Sequence, residues 1–342
     1  MLSIGIDIGG ANTKALLLKD GSVEKDWLEY IPLWERKEDL ESFLDKLAGV
    51  KQVQATGITM TGELSDIFKS KREGVKEIIK IASEKFGNKA CYFMSSNGEL
   101  LSKDKALDSP EEISAANWIA SGLVVGEEYP NCILMDVGST TTDLIPIQNG
   151  TPTSLGRSDF QRLETGELVY TGVLRTPVTY LCPEVEVNGM KVGIASEYFA
   201  NIGDAYRVLN TLDEEQYNCD TPDGRGKTRD DCMRRMARVF CSDVEELGEE
   251  FIEKAAKYFQ ERQVSLLQKA LEKIVDSNKS LRINNIIVTG IGRRILAEEA
   301  ARSANFKQII DLADIYGEEA ALMTPAFAMS LLAGKTVHNK DQ

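Results

Sequence analysis

Ile6-Asp7-Ile8-Gly9-Gly10-Ala11-Asn12-Thr13-Lys14 and Met135-Asp136-Val137-Gly138-Ser139-Thr140-Thr141-Thr142-Asp143 are two copies of one pattern. In each, an apolar run ends in Asp, a tight Gly turn follows, and small hydroxyl or amide residues lead into a second apolar run, Ala15 to Leu18 or Leu144 to Ile147. Each copy reads as strand, turn, strand. A turn made of Gly, Ser, Thr and Asn lets backbone N–H groups and hydroxyls converge on an anion, and an Asp at the strand end can hold a hydrated divalent cation. One such copy would be an ordinary hairpin; two in register predict a clamp for a di- or triphosphate.

The rest of the composition bounds what that clamp serves. The chain has 342 residues, 42% of them hydrophobic and 27% charged, which suits a soluble globular protein large enough for two domains. A formal net charge of −14 argues against a nucleic-acid surface, which would need Lys and Arg patches. No apolar stretch has the length of a membrane span, and Met1-Leu2-Ser3-Ile4 runs into the first strand without a charged leader, so no membrane partner is expected and the expected location is cytoplasmic. The six cysteines form no C-x-x-C pair. Cys219, Cys232 and Cys241 form a loose cluster, for which buried thiols are favoured over an iron or zinc site. The single histidine, His338, lies in a polar tail, so any general base must be a carboxylate, lysine, tyrosine or metal-bound water.

Periodicity predicts a mixed α/β first half. Strands are expected at Leu2–Ile8, Thr13–Leu18, Val23–Ile31, Gln54–Met60 and Ala90–Met94, with helices at Lys37–Ala48 and Lys71–Phe86. A small-residue helix over Pro110–Leu123 ends the first domain. After the second turn, Gly150–Gly193 reads as an inserted β-rich segment with strands at Leu168–Leu174 and Pro177–Val187. Helices are expected at Ala195–Leu209, Asp230–Phe240 and Leu247–Ile274. The strand Asn285–Thr289 runs into Gly290-Ile291-Gly292 and the helix Arg293–Ser303, a turn at which a flat ligand or phosphate can approach the backbone. A last helix, Thr324–Gly334, carries small residues like those of Pro110–Leu123, and the two are expected to cross at a hinge between domains.

Asp-Ile-Gly-Gly-Ala-Asn-Thr-Lys, Asp-Val-Gly-Ser-Thr-Thr-Thr-Asp and Val288-Thr289-Gly290-Ile291-Gly292, in that order, resemble the phosphate-1, phosphate-2 and adenosine motifs of the actin-like ATPase and sugar kinase superfamily. The resemblance implies an α/β, bilobal actin-like ATPase fold, with two ribonuclease-H-like domains around a phosphate-binding cleft. The domains would be 1–125 plus 318–342, and 126–317 with the insertion at about 150–193. Met60-Thr61-Gly62-Glu63-Leu64, Ala116-Asn117-Trp118, the stretch 136–147 and the stretch 165–177 are similar to the hydantoinase/oxoprolinase-related proteins of methanogenic archaea and certain methylotrophs. In archaea that group includes a methanofuran-biosynthesis transferase joining γ-glutamyltyramine to an aminomethylfuran that carries a methylene diphosphate.

Such a reaction implies small-molecule diphosphate and phenol substrates and Mg²⁺. Asp7 and Asp136 would position the metal; Gly9, Gly10, Asn12, Thr13, Gly138, Ser139, Thr140 and Thr141 would donate hydrogen bonds, and Lys14 would add a cation. The Arg157–Arg175 segment gathers Arg157, Arg162, Glu164, Glu167, Tyr170 and Arg175 and reads equally as the reacting face or as a solvated hairpin. Glu63, Glu164 and Glu167 are the candidate phenol bases. Arg162, Tyr170, Gly290 and Gly292 are candidates for binding substrate or nucleotide. Trp118 reads as packing rather than stacking on a ligand. Two other readings stand beside this one: an ATP-dependent kinase or hydantoinase-type enzyme with ATP at Gly290 and Gly292, for which Ile202-Gly203-Asp204 offers a base, and a nucleotide-switch activator. Whether copies of the chain assemble with one another is left open by the sequence.

Overall fold

The computed structural model describes residues 1–87, 90–278, 283 and 285–339. The chain packs into two compact units: residues 1–134, 145–165 and 311–342 form one, and 135–144 with 166–310 the other.

The first unit is built on a six-stranded sheet. Its strands are β1 (Leu2–Ile8), β2 (Asn12–Lys19), β3 (Ser22–Tyr30), β4 (Val53–Met60), β5 (Ala90–Met94) and β6 (Leu100–Leu101), in the order β3-β2-β1-β4-β5-β6. β2 and β3 run antiparallel to their neighbours, whereas β1, β4 and β5 are mutually parallel, joined by the helices Lys37–Ala48 and Lys71–Phe86. Three antiparallel strands followed by parallel ones is the ribonuclease-H-like arrangement. The helix Lys71–Phe86 starts and stops where its sequence says: the Ser70 side chain accepts from the Glu73 N–H, and Gly87 ends it at φ 57°. Ile4, Ile6 and Ile8 of β1 pack with Ile58 and Met60 of β4 and with Leu40, Leu44, Val75 and Ile78 of the helices in one apolar core.

Against β1 and β4 lies the helix Thr324–His338. Its approach depends on Gly5 and Gly57, which are paired in the β1/β4 register: a Cβ on either would fall inside the carbonyl of Ala326 or Met329. The predicted small-residue helix at 110–123 is broken. A turn at Pro110–Ile113 is followed by Ser114-Ala115-Ala116, with Ala115 at φ 49°, and the helix proper is Asn117–Glu128. It packs against Thr324–His338, and Lys335 Nζ pairs with the Glu127 carboxylate.

The second sheet contains β7 (Cys132–Val137), β8 (Thr142–Gln148), β9 (Thr151–Pro152), β10 (Leu168–Val169), β13 (Asn285–Thr289) and β14 (Gln308–Asp311), in the order β10-β8-β7-β13-β14, with β9 on β8. The division between the units passes through β7, β8 and β14. A separate hairpin joins β11 (Glu184–Val187) to β12 (Met190–Gly193), and Asn188-Gly189 turns it with both residues at positive φ.

Several expected elements are shorter. Only Leu168–Val169 of the strand predicted at 168–174 joins the sheet, because the N–H groups of Val173, Leu174 and Arg175 go to the carbonyls of Gly138 and Ser139 instead of a ladder. Pro177–Val187 begins with a helical turn at Val178–Leu181 before β11, and the helix predicted at 195–209 is confined to Ile202–Val208 by its Asn201 cap. The long helix is Glu249–Ser277. A π-helical turn, Arg293–Ala297, opens the segment predicted as a helix at 293–303. Among the described residues no helix is long and apolar enough to cross a membrane.

Candidate functional site

The first turn grows out of β1. Asp7, 7% exposed, sits at the strand end opposite Lys14 on β2 and Thr59 on β4. Gly9 N–H donates to the Asn12 carbonyl at 3.0 Å and closes the turn. Its carbonyls are tied back into the unit: Ile8 accepts from Thr61 and Gly62 at 2.9 and 3.0 Å, Gly10 from Leu33 at 2.9 Å, and Ala11 from Ile31 at 2.8 Å. Among the described residues no acceptor takes the N–H of Gly10 or Ala11. Around them, the buried oxygens Asn12 Oδ1, Thr13 Oγ1 and Thr59 Oγ1 have no hydrogen-bond partner. Buried polar atoms left this way are costly unless a ligand or water meets them.

The second turn repeats the closing bond of the first. Gly138 N–H donates to the Thr141 carbonyl at 2.9 Å, and the Val137 carbonyl, like that of Ile8, accepts from a following glycine loop, here Gly292 N–H at 2.9 Å. Gly138 O accepts from Val173 at 3.0 Å, and Ser139 O from Leu174 and Arg175 at 3.0 and 2.9 Å. The N–H groups of Ser139, Thr140 and Thr141 have no described acceptor. The loop 171–176 that ties the carbonyls needs Gly172, whose Cβ would lie 2.5 Å from Ser139 C and Thr140 N. Gln263, from the helix Glu249–Ser277, fixes this loop through Thr171 Oγ1 at 2.8 Å and Gly172 O at 2.9 Å. Gly290, at φ 86°, lies against Asp136, with room for a Cβ denied by the Asp136 Oδ1 at 2.5 Å.

Both turns therefore leave N–H donors without a described acceptor while carbonyls beside them are tied back, an arrangement suited to anions. Carboxylate and hydroxyl oxygens are hard donors, so Asp7 and Asp136 fit Mg²⁺ rather than a thiophilic metal. Among the described residues no three His, Cys, Asp or Glu side chains gather into a ligand set. Cys219 and Cys232 are buried and Cys241 is exposed; burial pushes the Cys219 thiol up to about 11.

A second polar group lies within the first unit. Glu63, one residue beyond the Gly62 that packs on Gly9 O, is 1% exposed. Its Oε1 accepts from Ser114 Oγ and lies 3.7 Å from Lys71 Nζ; its Oε2 is buried without a hydrogen-bond partner. Burial pushes this carboxyl above the usual range, opposed by the Ser114 hydrogen bond, its own backbone N–H and Lys71, while Asp159 adds to the rise. Arg162, three residues after Asp159 in the helix Asp159–Thr165, is buried over the Trp118 ring at 4.4 Å. Trp118 thus packs, as expected, but against a cation, and its Nε1 has no partner.

The Arg157–Arg175 segment is not one hairpin. Residues through Thr165 belong to the first unit and those from Gly166, at φ 84°, to the second. Glu167 is fully buried, and its carbonyl accepts from Leu144 at 2.7 Å; Glu164 is exposed, Tyr170 is 59% exposed and Arg175 half-buried. Asp204 is held in a buried ion pair: it is wholly buried, receives Arg235 through two nitrogens at 2.8 and 2.9 Å and Tyr217 Oη at 3.2 Å, and accepts from the Asn201 N–H.

A profile of the Hydantoinase/oxoprolinase family matches residues 54–331. The chain belongs to that family. The matched stretch contains Glu63, the second turn and Gly290-Ile291-Gly292; the first turn precedes it. A Methanocaldococcus jannaschii protein named (4-{4-[2-(gamma-L-glutamylamino)ethyl]phenoxymethyl}furan-2-yl)methanamine synthase is 38% identical over 337 residues, covering 98% of each chain. A Methanococcus vannielii protein of the same name is 36% identical over 61% of this chain and 94% of its own. Acetone carboxylase, in a nucleotide-free structure, shares the fold at a TM-score of 0.61 and 11% identity, covering 96% of this chain and 70% of that one. The family member described here has the actin-like ATPase fold, with the ribonuclease-H-like strand order of its first sheet and a matched glycine turn on its second.

Proposed function

We propose that the protein is a transferase of methanofuran biosynthesis, coupling the phenol of γ-glutamyltyramine to an aminomethylfuran methylene diphosphate and releasing pyrophosphate. The relatives' name supports the product, a phenoxymethylfuran. The observation that carries the diphosphate is the pair of matched turns whose carbonyls are tied back and whose N–H groups have no described acceptor. In each turn the N–H groups and hydroxyls would stabilise phosphate charge, including that which develops as pyrophosphate leaves. Asp7 and Asp136 are the carboxylates that would hold Mg²⁺, which when bound would supply neutralisation of the leaving group. A furfuryl carbon tolerates cationic character, so the residues mainly orient the phenol and stabilise the departing anion. The reaction belongs to the cytoplasm.

The test is incubation with both substrates and Mg²⁺ but no ATP, expected to give equal amounts of pyrophosphate and ether. Coupling only with ATP, or hydrolysis of ATP alone, transfers the protein to the ATP-dependent kinase or hydantoinase reading.

A further inference from the structure

Three chain segments far apart in sequence meet in the first unit around one carboxylate. The loop after β4 brings Glu63; the break between Pro110–Ile113 and Asn117–Glu128 brings Ser114, with Trp118 one turn further on; the helix Asp159–Thr165 brings Asp159 and Arg162. The pairing is costly to keep. Ala115 holds φ 49° beside Ser114, a conformation unfavourable for a residue with a Cβ. Among the described residues Glu63 is buried with Oε2 unpartnered, and the Trp118 Nε1 donor, one turn after Ser114, is buried and unpartnered as well. A satisfied structural carboxylate would use both oxygens; this one keeps an acceptor.

Position connects the group to the chemistry. Gly62 and Thr61 donate to the Ile8 carbonyl, one residue past Asp7, so the chain reaches Glu63 directly from the first turn. Large apolar side chains neighbour these residues in sequence and face solvent: Leu64 follows Glu63, and Phe160 and Leu163 follow Asp159 and Arg162. The chemistry on offer is an aromatic ring with a hydroxyl.

We propose that Glu63 is the proton acceptor for the phenolic hydroxyl of the acceptor substrate, in a subsite shared with Ser114, Trp118 and Arg162. The assignment rests on the reaction proposed above. As the phenol oxygen forms its bond to the furfuryl CH₂, the C–O bond to the diphosphate breaks with its electron pair going to pyrophosphate. The phenolic proton passes to Glu63 Oε2 and afterwards to solvent. Among the three carboxylates that the sequence nominated, Glu164 is exposed and Glu167 belongs to the second unit, whereas Glu63 is buried with one oxygen that has no hydrogen-bond partner among the described residues. A base desolvated in this way is better matched to a phenol than an ordinary carboxylate. Lys71 and Asp159 are the charged groups that face it, and Ser114 the hydroxyl.

The experiment compares wild type, Glu63→Gln and Ser114→Ala with γ-glutamyltyramine and with ring-fluorinated acceptors of lower phenol pKa. Glu63→Gln is expected to lose about 10²-fold or more in kcat with the natural phenol, and much less with the fluorinated acceptors, which need no base. Ser114→Ala removes a hydrogen bond to the ionised carboxylate and is expected to move the acidic limb of kcat/KM to higher pH. An equal loss across acceptors together with an unmoved limb overturns the assignment. Should Glu63→Gln fail to fold, the Ser114→Ala limb decides by itself. If wild type forms no ether with any acceptor, the proposed function falls; if it does and the variants behave as wild type, only the base is wrong.

Discussion

Arg235 meets Asp204 through both Nε and Nη2, at 2.9 and 2.8 Å, with neither side chain exposed to solvent. Burial alone would lower the Arg235 pKa; the hydrogen bonds and charge of Asp204 outweigh it and hold the guanidinium protonated. The string Ile202-Gly203-Asp204, which as sequence offers a kinase-type base, is thus half of a buried ion pair. Removing one partner of such a pair leaves the other charge uncompensated. Asp204→Asn and Arg235→Met are each expected to destabilise the fold by about 3–5 kcal/mol, while protein that remains folded keeps its kcat. A variant with normal thermal stability and abolished turnover would restore Asp204 to the active site.

Glu63 gives a pH signature of its own. Its folded pKa is raised above that of an ordinary glutamate, chiefly by burial, so its contribution to stability is fully present below the unfolded pKa and is lost as pH rises through the folded one. Glu63→Gln mimics the protonated form. The difference in melting temperature, variant minus wild type, should therefore grow in favour of the variant from about pH 4.5 upward. A difference that is constant between pH 4 and pH 8 would mean that Glu63 has the same pKa folded and unfolded.

Gly172 should matter for binding more than for folding. A methyl group there would lie 2.5 Å from Ser139 C and Thr140 N, the backbone of the second turn, so the loop and the turn cannot both keep their places. Gly172→Ala is expected to raise KM for the diphosphate substrate about 10-fold or more and to weaken inhibition by pyrophosphate in parallel. Unchanged pyrophosphate inhibition would show that the second turn does not contact the leaving group.

What could be read from the sequence follows from how locally each feature is determined. The helix Lys71–Phe86 and the strand Asn285–Thr289 are legible to the residue, because a Ser cap, a Gly stop and a β-branched run act within a few positions. The strand expected over 168–174 is misread because its N–H groups serve carbonyls of the second turn, a tertiary demand that no periodicity carries. Asn188-Gly189, directly after the strand expected to end at Val187, carries a hairpin signal that the turn between β11 and β12 uses. Gly5 and Gly57 look like weak points in strands, and only the helix lying on them explains their lack of side chains. The duplicated turns themselves were visible. The Glu63–Ser114 contact, between residues 51 apart, was not, and neither was the positive φ at Ala115 that accompanies it.

Asp7 and Asp136 provide the most direct test of the phosphate chemistry. Each is the penultimate residue of a central strand, one residue before a carbonyl, Ile8 or Val137, that is locked by a glycine loop. Changing either to Asn removes a charge at a polar turn and leaves core volume intact, so the melting temperature should shift little. Turnover should fall by about 10²-fold or more, and the dependence on Mg²⁺ concentration should weaken. Full activity in both single variants would reject metal-assisted diphosphate release, and would leave anion binding to Lys14, the hydroxyls and the backbone N–H groups of Gly10, Ala11, Ser139, Thr140 and Thr141.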